Sequence, residues 1–465
     1  MQDLTTGSIS RHLLKTTSFM LVTMVFQTLY FLVDLYWVGR LGTAAVAAVG
    51  IAGNLTFIVL ALTQMFGVGT TTVVSHAAGR RDRAEAQHLF NQSQVLATAT
   101  GAAFLVLALA LRTSYARAMS ADAETARLAG EYLRWFIPAM ALQFALVAMG
   151  AALRAVGNFK PGMVVSTVTV VINMILAPFL IFGWGTGRAF GVAGAAISTL
   201  IAIAVGIVWL AAYFVSPEGY LHFTPRDWRP RLRRWRSMLA IGLPAGFEFA
   251  MMAVYLALVY AIARPFGAPA QAGFGIGQRV IQAGFMPVVA LGFSVAPVAG
   301  QNFGARRAER VTRTFRDAAL MATGMMLLFT VVSHAAPEAM IGVFSKDSAV
   351  IGTGAEYLRV ISWNYVASGL IFVCSSMFQA MGNTVPSLVA SATRIALVAA
   401  PALVLARRPG FQLHWVWYLS VAAVFVQLGL CLWLLRREFS RRLSFGASAP
   451  PGAVQSAAGV TVHAD

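Results

Sequence analysis

Twelve apolar stretches, each long enough to cross a bilayer, follow one another along the chain with only short polar breaks between them. In hydrocarbon a backbone N–H or C=O has no water to bond, so only helices and closed barrels can span it. A helical span needs about 20 apolar residues and a barrel strand about 10; these runs have the helical length. They fall at 13–38, 44–75, 90–111, 131–153, 161–184 and 191–214, then at 237–263, 272–299, 315–335, 356–380, 385–405 and 413–435. The second and eighth are the long ones and are expected to tilt or to project from the membrane. Composition agrees, with 58% hydrophobic and 11% charged residues against about 25% charged in soluble domains.

The twelve runs form two sets of six. Residues n and n+225 match at one offset: Gly50 with Gly275, Gly67 with Gly292, Gly79 with Gly304, and Asp122 with Asp347. Glu131-Tyr132-Leu133-Arg134 returns as Glu356-Tyr357-Leu358-Arg359, Gly157-Asn158 as Gly382-Asn383, and Pro161 as Pro386. An even number of spans brings both copies in from the same side, so the repeat is parallel, about an axis along the membrane normal. The fold class is therefore an all-α integral membrane protein, with twelve transmembrane helices in two six-helix bundles. Residues 1–215 are expected to form one lobe, 216–236 a basic cytoplasmic linker, 237–440 the second lobe, and 441–465 a disordered tail. Two such bundles can rock about a central cleft, the architecture that alternating access requires. The Glu/Arg pairs at the outer ends of the fourth and tenth spans, three residues apart, are expected to form local surface pairs or gate contacts.

The formal net charge of +18 invites a nucleic-acid reading, but the basic residues lie in short loops between apolar runs. With both termini inside, 22 of the 35 Lys/Arg fall on the cytoplasmic side and 11 outside, while Arg279 and Arg394 lie within spans. This is the bias of inner-membrane proteins, so no nucleic-acid partner is expected. Met1 to Ser18 lacks the clean apolar core of a cleavable signal. Cys374 and Cys431 lie inside apolar runs as small buried side chains. Neither a GxxxxGK[ST] loop nor metal-ligand spacing nor a nucleophile–base set appears, so neither direct ATP drive, an enzyme activity nor a cofactor is expected.

Ionisable residues inside spans are functional candidates. Asp34 lies toward the outer end of the first span among Tyr30, Phe31, Leu35 and Trp37. It either faces a cavity, where desolvation penalises its charged form and lets it carry a proton, or pairs with Arg40 at the membrane edge. Glu248, amid Phe247, Met251, Met252 and Tyr255, either attracts a cationic substrate or pairs with Arg279 on the eighth span. Arg279, with Gln282 one turn on, either lines the cleft or satisfies backbone carbonyls, and a structural role is the favoured reading for Arg279 and Arg394. Gln27 with neighbouring Met and aromatic residues also faces the cleft in this reading.

Leu32-Val33-Asp34-Leu35-Tyr36-Trp37-Val38-Gly39-Arg40-Leu41-Gly42 resembles the first-helix signature of multidrug and toxic compound extrusion (MATE) transporters. Gly300-Gln301-Asn302-Phe303-Gly304-Ala305, Arg154-Ala155-Val156-Gly157-Asn158 and Ile172-Asn173-Met174-Ile175-Leu176 resemble motifs of the same family, and the similarity runs from about Leu13 to Arg437. The resemblance implies a V-shaped pair of lobes exporting cationic amphipathic compounds in exchange for protons or sodium ions, and the chain is expected to act as a monomer. It also implies that Tyr30, Asn173 and Thr199 surround Asp34. Two departures matter. Ala177 stands where many relatives carry a second Asp, which weakens a sodium site and favours protons. Phe19 stands where many have Pro, although its repeat-mate Pro244 keeps that kink element. A lipid-linked oligosaccharide flippase of the same superfamily is the nearest alternative, a non-transporting membrane receptor the more distant one.

Overall fold

The computed structural model describes residues 2–185, 187–217, 219–405 and 408–445, and every regular element among them is a helix. The first half holds α1 (Ile9–Gly39), α2 (Thr43–Gly79), α3 (Arg83–Met119), α4 (Ala123–Ala155), α5 (Phe159–Phe182) and α6 (Val192–Val215). The second holds α7 (Leu232–Ala263), α8 (Ala268–Gly304), α9 (Ala308–Ala335), α10 (Pro337–Gly342), α11 (Ser348–Ile361), α12 (Tyr365–Ala380), α13 (Val385–Leu405) and α14 (His414–Arg442). Twelve of these helical stretches have spanning length and composition, α11 and α12 counting as one span. The helices α2 and α8 have 37 residues each, about 55 Å of helix, well beyond the hydrocarbon thickness. Helix α14 continues to Arg442, past the start of the expected tail; residues 446–465 of that tail lie outside the described residues.

The repeat extends to backbone conformation. Arg81 and its mate Arg306 have φ of 60° and 56°, and Gly157 and Gly382 have φ of 79° and 75°. Each pair closes a helix at the same place in its half. The mates Asp122 and Asp347 both cap helix N-termini, accepting from the backbone N–H of Thr125 (2.8 Å) and Ala349 (2.9 Å). That Thr125 N–H, with the Thr125 hydroxyl, holds the Asp122 carboxyl below its ordinary range. The expected local Glu/Arg pairs do not form. Glu131 pairs with Arg127 at 2.7 Å and Arg134 lies over the Trp135 ring. Glu356 instead faces His414, and Arg359 bonds Glu338 of α10. One turn of helix puts Arg127 in better reach, and α10, an element outside the expected spans, brings a competing carboxylate.

Two apolar cores form, one per half, and they exchange their first turns. Leu13 of α1 packs in the second core, while its mate Met238 of α7 packs in the first. Farther along, Val38 of α1 is in the first core and its mate Ala263 of α7 in the second. Both helices thus cross from one lobe to the other. The crossing is close: a Cβ at Gly242 of α7 would overlap the Met65 carbonyl of α2, and one at Gly69 would lie 2.7 Å from the Met238 carbonyl. The segment between halves is fastened to α3. Asn91 donates to His222 O (2.9 Å) and accepts from Thr224 N (3.0 Å), and Gln92 donates to Asp227 O and Arg229 O.

At Gly157 an added Cβ would meet the Gln2 carbonyl at 2.6 Å in a left-handed backbone. Gly157→Ala should therefore lower the stability of the detergent-solubilised protein, with about 1–2 kcal/mol from the backbone alone. Gly162→Ala, where open space awaits the methyl, should leave the melting temperature unchanged or slightly raised.

Candidate functional site

Asp34 sits five residues before the end of α1 and is 8% exposed. Tyr30, one turn earlier, projects its hydroxyl to Thr199 Oγ1 of α6 at 3.0 Å. Asn173 of α5 donates to the same Thr199 oxygen at 3.1 Å and to Ser198 Oγ at 3.2 Å. Both α6 hydroxyls lean back on the Ala195 carbonyl, Thr199 at 3.1 Å and Ser198 at 2.8 Å. A hydroxyl has one proton to donate. With the Thr199 proton on Ala195, its oxygen accepts from Asn173 and from Tyr30, so the polar chain runs from α5 through α6 to α1. None of those protons is directed at the carboxylate. Asp34 Oδ1 is buried and has no hydrogen-bond partner among the described residues. Tyr132 of α4 joins Tyr30 within electrostatic range of it.

The alternative pairing with Arg40 does not form. Arg40 bonds the Tyr36 hydroxyl and lies over the Tyr36 and Trp37 rings, at 4.8 and 5.3 Å from their centres. Ala177, at the position of the missing second Asp, is buried beside this group on α5 and offers no ligand. The helices that hold the cluster, α1, α4, α5 and α6, all belong to the first half.

The second half contains a different acidic site. Glu248 of α7 accepts from Ser387 (2.8 Å) and Ser391 (3.1 Å) of α13, with Ser375 of α12 at 3.3 Å. Ser375 and Ser387 also lie 2.7 Å apart, and Gln427 of α14 donates to Ser391. Among the described residues Glu248 has no ion pair: three hydroxyls stand where the alternative reading placed Arg279. Arg279 is exposed, as are Gln27, Met252 and Gln282, and no hydrogen bond joins these four to either acidic site. Tyr255 bonds Ser420 at 2.8 Å and lies under the Arg394 guanidinium at 4.8 Å, so a cation–π contact occupies its ring. The residues that sequence reasoning passed over are Ser198, Tyr132 and the serine cage. Ser387 and Ser391, one turn apart in an apolar helix, were the available signal.

A family model described as MatE matches residues 20–179 and again 244–405, one copy in each half. The probable multidrug resistance protein YpnP of Bacillus subtilis (strain 168) is 24% identical over 391 residues, covering 83% of this chain and 86% of that protein. The multidrug export protein MepA of Staphylococcus aureus (strain MRSA252) is 24% identical over 371 residues, 78% of this chain and 80% of its own. A solved structure described as the outward-facing conformation of a multidrug resistance MATE family transporter of the MOP superfamily superposes with a TM-score of 0.87 at 25% identity. It covers 95% of this chain and 98% of that one.

If the serine cage and Glu248 act as one hydrogen-bonded unit, their removals should not add. A double-mutant cycle on Glu248→Gln and Ser387→Ala, read by denaturation in detergent, should return a coupling of about 0.5–3 kcal/mol. Strict additivity would mean that the 2.8 Å contact contributes nothing.

Proposed function

This chain belongs to the MatE family, and from that footing we propose that it exports cationic amphipathic drugs from the cell in exchange for protons, with Asp34 as the coupling group. The observation that carries the reading is the buried Asp34 Oδ1 without a hydrogen-bond donor. A charged carboxylate costs about 2.5–3.5 kcal/mol at the centre of a spanning helix and less toward its end, where Asp34 lies, and here no neighbouring donor offsets that cost. A proton removes the charge; so does a bound organic cation. The two therefore compete, and that competition is the essence of exchange: proton entry from outside releases the drug, and proton loss inside prepares the carboxylate for the next. Tyr30, Asn173 and Thr199 are positioning residues, since their hydrogen bonds fix α1 against α5 and α6. Protons are preferred over sodium because a hard cation asks for several oxygen ligands, and Ala177 supplies none.

In this scheme the lobes at 1–215 and 237–440 rock about the cleft, joined by the segment at 216–236. Gln27, Met252, Arg279 and Gln282 supply the adaptable cleft surface, and Glu248 adds negative charge for cationic substrates. The basic bias of the loops supports placing both termini in the cytoplasm and the protein, as a monomer, in the inner membrane. The names of YpnP and MepA support drugs as the cargo.

In proteoliposomes, Asp34→Asn should abolish efflux driven by a pH gradient while the protein still inserts and purifies. Sodium gradients at fixed pH should drive little efflux of any substrate; robust sodium-driven efflux overturns the choice of ion. Glu248→Gln should weaken transport of cationic compounds more than of neutral ones, and an equal loss for both would assign Glu248 to structure alone.

A further inference from the structure

At the end of the molecule that carries the N-terminus and the inter-lobe segment, α2 and α8 meet with near two-fold symmetry. His76 of α2 bonds through Nε2 to the Ala380 carbonyl at the end of α12, at 2.6 Å. Gln301 of α8 donates from Nε2 to the Ala155 carbonyl at the end of α4, at 2.8 Å. His76 and Gln301 are mates at the 225-residue offset, and so are Ala155 and Ala380. Each half therefore sends a side chain to the last turn of the other half's helix, where the carbonyls lack intrahelical partners, and Thr72 of α2 adds a second bond from the first half, to the Gln379 carbonyl at 2.9 Å. Backbone approaches complete the fit. A Cβ at Gly79 would overlap the Gln301 carbonyl, and one at its mate Gly304 would overlap the His76 carbonyl.

The symmetry is broken by the chain's first residues. Gln301 Oε1 accepts from Leu4 N at 3.0 Å, and Asn302 donates to the Leu4 carbonyl at 3.1 Å. Gln2 N bonds the Val156 carbonyl of the first half at 3.1 Å, and Leu4 is fully buried. Residues 2–4 thus tie the end of α4 to α8 across the gate. Gln301 is also the anchor of this strap, whereas on the His76 side the carbonyl of Met381, the mate of Val156, accepts from Arg442 of α14 at 2.8 Å.

We propose that His76 and Gln301 are the two halves of a latch that holds the lobes together at this end, and that residues 2–5 are the pin of the Gln301 half. The device suits reversible opening. When the lobes part here, water reaches the freed carbonyls and amides, so their bonds are replaced rather than lost. The glycine contacts supply a fit that either forms as a whole or not at all. The pin makes release ordered: the strap leaves Gln301 first, and the two side chains follow. The proposal rests on alternating access but not on the coupling ion.

The test is labelling of a cysteine placed at the closed end, without substrate or gradient. With Cys374 and Cys431 replaced by Ala, Ala155→Cys reports gate opening through its rate of reaction with a polar maleimide. The parent should label slowly. His76→Ala and Gln301→Ala should raise the rate roughly two- to tenfold for each net hydrogen bond removed. Leu4→Asp, which keeps the Leu4 backbone bonds but places a carboxylate where the side chain is fully buried, should raise it further. His76→Gln, which keeps a donor, should label close to the parent rate, and this separates a latch from a general loss of packing. A variant that elutes as aggregate is replaced by deletion of residues 2–5, expected to raise the rate by a larger factor because the bonds of Gln2 N, Leu4 N and the Leu4 carbonyl are lost together. Unchanged labelling in Gln301→Ala and in the deletion, both monodisperse, overturns the proposal and leaves transport by Asp34 standing. Faster labelling in the side-chain variants with no effect of the deletion or of Leu4→Asp overturns the pin.

Discussion

A polypeptide in hydrocarbon must satisfy its own backbone, and this single constraint sets the architecture. Every spanning element is helical, and two left-handed breaks recur in register in both halves, although among the described residues the tenth span alone is broken, at Ser362–Asn364. The left-handed pairs Arg81/Arg306 and Gly157/Gly382 close helices at the same end of the molecule, where inter-helix turns can be short. Once the backbone is satisfied, side-chain packing decides how the halves meet. Leu13 and Met238 each enter the opposite core, so α1 and α7 are shared between the lobes. Motion of one lobe against the other must then be felt along both helices, and α1 is the helix that carries Asp34.

The halves agree in backbone and differ in charge. Asp34 has the apolar Val259 as its mate, and Glu248 has Thr23. The first half holds a buried carboxylate oxygen with no donor; the second holds a carboxylate supplied with hydroxyls from three serines. These environments favour different occupants. An unsatisfied oxygen gains most from a proton or a cation, whereas a carboxylate that already accepts hydrogen bonds gains less. Under the proposed exchange, a duplicated scaffold with unlike sites lets one lobe carry the coupling ion while the other serves the cargo.

Much of the fold was legible because it rests on period and length. Apolar runs gave twelve spans, and the fixed offset gave two halves. Helix ends were less legible: α3 begins at Arg83, before the apolar window, and its first polar turns grip the inter-lobe segment through Arg83, Gln87 and His88. The Glu/Arg pairs failed because i,i+3 spacing says nothing of competitors such as Glu338, which only tertiary structure brings near Arg359. In the first site, Tyr30, Asn173 and Thr199 were readable by resemblance, and they do join one hydrogen-bonded chain. That this chain turns away from Asp34 was not readable, since it depends on where the Thr199 hydroxyl sends its proton. The serine cage of Glu248 was hidden for a similar reason: its members come from three helices, and serines in apolar runs usually bond their own backbone.

Direct proton counting reaches the coupling group without a membrane. Adding a cationic substrate to purified protein in weakly buffered detergent solution, with a pH indicator present, reports the protons displaced on binding. Displacement at Asp34 predicts release of about one proton per substrate bound in the unmodified protein, and none in Asp34→Asn that still binds. Binding without release, or equal release from Asp34→Asn, would contradict the assignment of this carboxylate as the place where proton and drug exclude each other.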